Sequence, residues 1–432
     1  MSRYLNKHRH RRKRKINDEV EITVIARVVS FIKRQEKPFK VNLFRASLQY
    51  FFVSLTQRYQ PIYIVGLGAD YFQLGLASGI GGIAGAVISL PTGWLADKHG
   101  IRRMFLVGTP LVALGSLIFA LSPNWLTTIP ALLITILALQ ILMTVCPMVC
   151  GSYLKTKERA TGMQLCDTLS AIPGIISPII GAIIITEFGG LTPEGIKPLY
   201  LLQAIGFLLI FFVILRYYRD TVERRVSSRL GSETKFLENM RKVLARGKNV
   251  KRWILYRALS DTSWYVGLTY LPLFVAEVKG ADQFVLGGMT TASMILPLLL
   301  SIPMGWLADT AGRKKVIYIV TPLYALSILL LISATNTTTL LISGFLQGFF
   351  MLGLVTQGAM SQEFVPTYLL GTWWGVLSLL SGVISVIGPI IGGMIWSFFG
   401  PVFVFILILS METSKITLLW LSVPETLKMK SI

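Results

Sequence analysis

The chain is predicted to be an all-α integral membrane protein, with twelve transmembrane helices in two pseudo-symmetric six-helix bundles. Three observations lead there. Of its 432 residues, 53% are hydrophobic and only 15% charged, and the mean hydropathy of +0.63 is far from that of a soluble domain. Apolar runs long enough to cross a bilayer recur along most of the sequence. The second half also repeats the first. The net charge of +21 would suit a nucleic-acid binder, but no folded soluble domain is left to carry a binding face, so no nucleic-acid partner is expected.

Residues 1–41 form a basic N-terminal tail opening with NKHRHRRKRK, Asn6 to Lys15. It is read as a solvated anchor, with contact to anionic lipid or RNA as the other possibility. Behind it, Val20, Val24, Val28, Phe31 and Ile32 recur at helical spacing opposite Glu21, Arg27 and Arg34, the pattern of a helix lying on a membrane surface. Apolar spans follow near 43–67, 71–95, 103–121, 126–150, 164–186 and 199–215, making a first bundle over 42–215. A basic linker, 216–252, separates these from spans near 253–276, 284–308, 316–334, 339–360, 373–399 and 401–423, a second bundle over 253–423. A short tail, 424–432, ends the chain.

With the N-terminus placed in the cytoplasm, 36 of the 42 Lys and Arg residues fall in the tails and the loops on the inner side. This bias predicts a multi-pass protein of the plasma membrane with both termini cytoplasmic. Cys146, Cys150 and Cys166 lie in or beside helices near the inner side, where a disulfide is not expected. No cleavable signal peptide is read, because the first apolar run begins only after about forty residues.

Shifting the chain by 212 residues aligns 45–111 with 257–323 without a gap, and 20 of 67 positions are identical. Arg45 matches Arg257, Gly68-Ala69-Asp70 matches Gly280-Ala281-Asp282, and Pro178 and Gly181 match Pro389 and Gly392 at a shift of 211. The longest shared block is a charged turn, GWLADKHGIRR (Gly93 to Arg103) and GWLADTAGRKK (Gly305 to Lys315). A tight reversal favours Gly100 and Gly312, and Gly93 and Gly305 permit close helix approach. Asp97 and Asp309 are expected to accept hydrogen bonds from free N–H groups at a nearby helix start. Arg102, Arg103, Arg313, Lys314 and Lys315 hold the turn on the cytoplasmic side.

The motif G-W-L-A-D-x-x-G-[IR]-[RK]-[RK], present between helices 2 and 3 and again between helices 8 and 9, resembles the signature loop of the major facilitator superfamily. The resemblance covers residues 42–426. It implies two six-helix bundles that rock about a central cavity lined mainly by helices 1, 4, 7 and 10. It also implies that Asp97 and Asp309 act as gating latches beside Arg102, Arg103, Lys314 and Lys315. Glu363-Phe364-Val365-Pro366-Thr367 with Gly371 is similar to the family's E-x-F-P-T-x-x-R-G pattern after helix 10, although Val365 stands where the phenylalanine would be and Leu370 where the arginine would be. Its first-half counterpart, Glu158-Arg159-Ala160, keeps an arginine. Gly388-Pro389-Ile390-Ile391-Gly392-Gly393 resembles a G-P-x-x-G-G kink that antiporters carry in helix 5, a spacing that also suits plain helix packing.

Ionisable side chains inside membrane helices are expensive and point to function. Arg58 lies about 15 residues, roughly 22 Å, into helix 1. It is read either as a substrate or gate residue or as the partner of Asp70, with Gln57, Gln60 and Tyr63 around it and Gln49 deeper inside. Asp261 sits mid-depth in helix 7, four residues after Arg257, as a proton site or a structural ion pair. Trp264 and Tyr265 follow it as cavity candidates. Arg45 and Arg257 are expected to snorkel toward the inner surface. Asp167 in helix 5 and Gln347 in helix 10 complete the candidate set. Glu412 and Lys415 in helix 12 are spaced to neutralise each other.

Helix 4 carries no charge, which sets aside familiar coupling schemes of the family. Met143, Cys146, Met148 and Cys150 read as packing rather than as a soft-metal ladder. No nucleotide-cradling loop or nucleophile–base signature is present, so neither enzyme activity nor a cofactor or metal is expected. The predicted function is secondary active or facilitative transport of a small organic solute by a monomer working through alternating access, with protons as a candidate coupling ion. Arg58 favours an anionic or hydroxylated solute. Efflux of amphipathic compounds and a transport-inactive sensor or scaffold are the alternatives.

Overall fold

The computed structural model describes residues 29–154, 159–219, 240, 241, 243–245, 247–366 and 369–425. These are almost entirely helical, with no β-strand among them. Helix α1 comes in two pieces, Lys37–Gln57 and Gln60–Gly66. There follow α2 (Tyr71–His99), α3 (Ile101–Leu121), α4 (Trp125–Tyr153), α5 (Arg159–Glu187) and α6 (Pro193–Tyr217). After the linker come α7 (Lys248–Leu273), α8 (Gln283–Ala311), α9 (Arg313–Ser333), α10 (Thr337–Glu363), α11 (Leu370–Phe399) and α12 (Pro401–Ser422).

Among the described residues, nine helices are long and apolar enough to cross a membrane: α3 to α6 and α8 to α12. The chain is a multi-pass membrane protein. Helices α1, α2 and α7 are not among the nine, and α1 and α7 carry polar groups of the interior, among them Arg45, Gln49, Arg257 and Asp261. A helix that lines an aqueous cavity needs an apolar face only toward its neighbours.

The helix ends follow the repeat. At one end of the molecule, Asp70 and Asp282 accept from the N–H groups of Gln73 (2.7 Å) and Val285 (2.9 Å), capping α2 and α8. At the same end Asn124 and Asn336 accept from the N–H groups of Thr127 (3.1 Å) and Thr339 (2.8 Å), capping α4 and α10. We call this the far end. At the opposite, latch end, Gly100 and Gly312 turn the chain with φ of 87° and 114°, where a side chain would be strained.

The break in α1 falls at Arg58 and Tyr59, just ahead of Pro61, which lacks the N–H that would continue the ladder. The repeat places Pro272 near the far end of α7, where the helix loosens into a π turn over Phe274–Val278. Lys279 then ties this turn to α9, its ammonium donating to the carbonyls of Ile332 (2.6 Å) and Ala334 (3.0 Å).

Each set of six helices packs chiefly on itself, and the two sets meet through α2 with α11 and α5 with α8. The α2–α11 contact is built on small residues. A Cβ added at Gly75 would lie 2.4 Å from the Pro389 carbonyl oxygen, and one at Gly82 would lie 2.1 Å from the Ser385 hydroxyl. Gly75, Gly79 and Gly82 share one face of α2, so the backbones approach closely along that seam.

Candidate functional site

A central cavity of about 480 Å³ lies between the two sets of helices. The first set contributes Thr56, Gln57 and Gln60 from α1, Thr135 and Gln140 from α4, and Gln203 from α6. The second contributes Arg257, Tyr265 and Thr269 from α7 and Ser378, Ser381 and Ser385 from α11. The lining combines carboxamides and hydroxyls with apolar walls such as Ile64, Leu132 and Leu139. Such a lining can hydrogen-bond a polar solute without holding it tightly.

Arg257 carries the one described ion pair bordering this cavity. Its guanidinium meets the Asp261 carboxylate at 2.9 Å, one helical turn along α7, and donates to the Gln357 side-chain oxygen at 3.3 Å. The Ser381 hydroxyl donates to the other Asp261 oxygen at 2.5 Å. Asp261 is itself buried, so Arg257 and Ser381 are its routes to the cavity. The expectation that Arg45 and Arg257 snorkel to the inner surface is not met. Arg45 is 2% exposed and turned inward, bonded to Asn42 (3.1 Å) and Gln49, with its guanidinium 4.6 Å from the centre of the Phe105 ring. Polar partners and an aromatic face inside the protein replace the headgroup water that snorkelling would reach. Gln49, at the position equivalent to Asp261, is thereby committed to Arg45 and does not line the cavity.

Arg58 projects from the break in α1 into a separate small cavity of about 40 Å³. The remaining walls come from the second set of helices: Trp264 and Leu268 of α7, Ser293 of α8, Tyr324 of α9, and Gln347 and Phe350 of α10. Leu268 borders both cavities, so they are neighbours. Asp70 is not the partner of Arg58, since its carboxylate caps α2. Trp264 stacks on Phe350 with ring centres 5.3 Å apart. The Gln347 carboxamide donates to the Ser343 hydroxyl at 3.4 Å. Asp167 is exposed on α5 and is not among the lining residues of either cavity. Tyr63, expected beside Arg58, points away and donates to the Phe119 carbonyl at 2.7 Å.

In α12, Glu412 and Lys415 pair at 2.5 Å and are both buried. The Lys415 ammonium lies 5.8 Å from the centre of the Tyr256 ring and 5.6 Å from that of Phe350. The pair therefore faces α7 and α10 rather than lipid.

At the latch end, Arg313 joins Asp309, one turn back across the Gly312 turn, to Glu363 at the end of α10, at 3.3 Å from the latter. Asp309 does not take backbone N–H groups as expected, because it sits in the last turn of α8, where carbonyls rather than N–H groups are free. Glu425 fills that role, accepting from the N–H groups of Arg313 and Lys314, each at 3.1 Å. Sequence reading missed Glu425, although it is the sole acid of 424–432. The Lys314 ammonium donates to the Val423 carbonyl (2.7 Å), and Arg102 likewise to the Leu215 carbonyl (2.9 Å), each tying the start of a third helix to the end of a sixth. Lys315 is exposed. Gly93 and Asp97 fall in α2, Gly305 in α8 and Arg159 at the start of α5. The side chains of Asp97 and Arg159 lie outside the described set, as does the whole of Glu158.

At the far end two tyrosines close the seam. Tyr59 of α1 donates to the Pro178 carbonyl of α5 (3.0 Å) and to the Gln283 carbonyl of α8 (3.4 Å). Tyr270 of α7 donates to the Pro389 carbonyl of α11 (2.7 Å) and to the Tyr71 carbonyl of α2 (3.0 Å). The acceptors are repeat partners of one another, and each hydroxyl bridges its own set of helices to the other set. The Tyr71 hydroxyl adds a bond to Glu277 at 2.7 Å, and the Gln283 amide one to Thr186 at 2.6 Å.

Similarity to known proteins agrees with this architecture. The family model described as Major Facilitator Superfamily matches residues 43–289 and 253–431. The uncharacterized MFS-type transporter YdgK of Bacillus subtilis (strain 168) is 30% identical over 129 residues, a stretch that spans 29% of this chain and 32% of that relative. Among solved structures, the nucleoside transporter NupG superposes with a TM-score of 0.71 at 14% identity, over 89% of this chain and 98% of the other. A D-xylose-proton symporter superposes with a TM-score of 0.68 at 14% identity, over 91% and 98%. Identities this low speak for the fold alone, whereas the family model covers nearly every helix: the chain belongs to the major facilitator superfamily.

Proposed function

We propose that this chain is a secondary transporter that carries a small, polar organic solute by alternating access. The observation that carries the reading is the central cavity, walled by both sets of helices, which the paired tyrosine bridges join at the far end. In this reading the bundles 42–215 and 253–423 rock about the cavity, and the linker 216–252 and both tails lie in the cytoplasm. The protein works as a monomer in the plasma membrane. The charged turns at 93–103 and 305–315, with Glu158, Arg159 and Glu363, gate the latch end.

Coupling to protons through Asp261 is the finer part of the proposal. A carboxylate that shares an arginine one turn away and a hydroxyl on α11 can exchange its proton as those partners shift between states. The carboxamide and hydroxyl lining favours a polar solute over the amphipathic cargo of an efflux pump. Uptake into proteoliposomes, with and without an imposed pH gradient, tests the reading. Accumulation above equilibrium under the gradient is expected, and absence of movement of any solute across a broad panel would return the chain to the sensor or scaffold class.

A further inference from the structure

Among the described residues, Arg58 is the least explained charge. It stands at the break in α1, in the half of that helix nearer the far end, and reaches into a cavity whose other walls all belong to the second set of helices. Among the described residues it has neither a hydrogen-bond acceptor nor an acidic partner. The arginines inside the latch halves of α1 and α7 are satisfied: Arg257 by Asp261 and Gln357, Arg45 by Asn42, Gln49 and the Phe105 face. An unpaired guanidinium within a helix bundle is costly unless something supplies the missing charge.

The space around it is chemically one-sided. Trp264, Tyr324 and Gln347, each of which carries an N–H or O–H donor, border the cavity with Arg58, and no acidic residue does. Donors around one cation form a receptor for negative charge. There is one guanidinium and no second cation, which matches a single charge. The guanidinium fork fits the two oxygens of a carboxylate. The cavity, at about 40 Å³, takes such a group and little more. The larger cavity across Leu268 is left for the rest of the molecule, where Gln57, Gln60 and Gln140 offer hydrogen bonds.

We infer that the small cavity is an anion subsite in which Arg58 binds the carboxylate of a monocarboxylic solute, whose uncharged body occupies the central cavity. The inference rests on the transport reading and adds the chemical class of the cargo. It also assigns Arg58 a linking role. An anion held there touches a residue of the first set of helices and walls of the second, so its arrival bears on how the two sit together.

The full chain, purified in detergent, is tested by thermal shift against aliphatic, hydroxy, amino and aromatic monocarboxylic acids. Each acid is paired with its primary amide, and inorganic phosphate is included as a separate probe. At least one acid is expected to raise the midpoint where its amide does not. Arg58→Gln should weaken that binding at least about tenfold, with Arg58→Lys between the two because it keeps the charge but loses the fork. Arg58→Gln removes an unpaired charge, so it should fold. An acid effect that survives in Arg58→Gln, a response to amides equal to that of the acids, or an Arg58-dependent response to phosphate alone would each overturn the inference. Counterflow in proteoliposomes separates the two levels. Exchange of neutral solutes indifferent to Arg58 leaves the transporter standing and removes the anion subsite, whereas absence of both shifts and exchange across the whole panel removes both.

Discussion

The two sets of six helices share a scaffold and differ in their charges. The repeated features are mechanical: the caps by Asp70 and Asp282 and by Asn124 and Asn336, the glycine turns at 100 and 312, the tethers of Arg102 and Lys314, and the tyrosine bridges of Tyr59 and Tyr270. The unrepeated features are electrostatic. Where the second set has the ion pair Arg257–Asp261, the first has Arg45 with the neutral Gln49. Among the described residues, the second set alone buries a further pair, Glu412–Lys415, and the first alone sends an unpaired arginine into its neighbour. The repeat is thus kept at the helix ends and along the seam and abandoned among the buried charges.

The largest expected effect comes from breaking the deepest of these asymmetric pairs. Glu412→Gln strands the Lys415 ammonium in a buried site and should cost about 3–5 kcal/mol, read as a lowered unfolding midpoint in detergent. Replacing both residues, as in Glu412→Leu with Lys415→Met, should restore most of it. Recovery of stability without recovery of transport would show that the pair serves function rather than folding.

The next test exchanges the equivalent positions. Asp261→Asn should abolish the dependence of uptake on a pH gradient while leaving counterflow of solute intact. Adding Gln49→Asp to it should not restore coupling, because Arg45 and Gln49 do not border the cavity. Restored coupling would mean that the halves are interchangeable and that cavity access does not decide the site.

Tyr59→Phe and Tyr270→Phe each remove a hydroxyl bridge. Each should loosen the far end by about 1–3 kcal/mol, seen as faster labelling of a cysteine placed beside Tyr71 or Gln283 in a cysteine-free background. Equal effects would uphold the mechanical symmetry, and a much larger effect at Tyr270 would follow from its shorter bonds. The smallest effects belong to the caps: Asn124→Ala and Asn336→Ala should each lower stability by about 1 kcal/mol, by matching amounts.

Much of this was legible in the sequence, for reasons that can be named. Helices announce themselves by long apolar runs, and the repeat by identities such as GWLAD at a constant shift. The pairs Arg257–Asp261 and Glu412–Lys415 lie within one turn of a helix, so spacing alone brings them together. The tyrosine bridges were hidden because their acceptors are backbone carbonyls, which leave no mark on residue identity. Their one trace is that Tyr59 and Tyr270 share the shift of 211 seen for Pro178 and Pro389. Gln140 and Gln203 were overlooked because an uncharged carboxamide in an apolar helix stands out less than an acid, although both line the cavity. The inward turn of Arg45 depends on the Phe105 ring of another helix, which no local pattern encodes.

A tyrosine hydroxyl has a single proton to give, yet Tyr59 and Tyr270 each stand within reach of two carbonyls. In both, the shorter contact is to the proline of its own set of helices and the longer to the opposite set. When the seam parts, the proton stays with the nearer carbonyl, and the donor is never left bare. Only a carbonyl is released, at a helix start that incoming water reaches at once. Under the alternating-access proposal, the far end would be fastened like a hinge pin that remains in one leaf when the other swings away, able to reopen without searching for its partner.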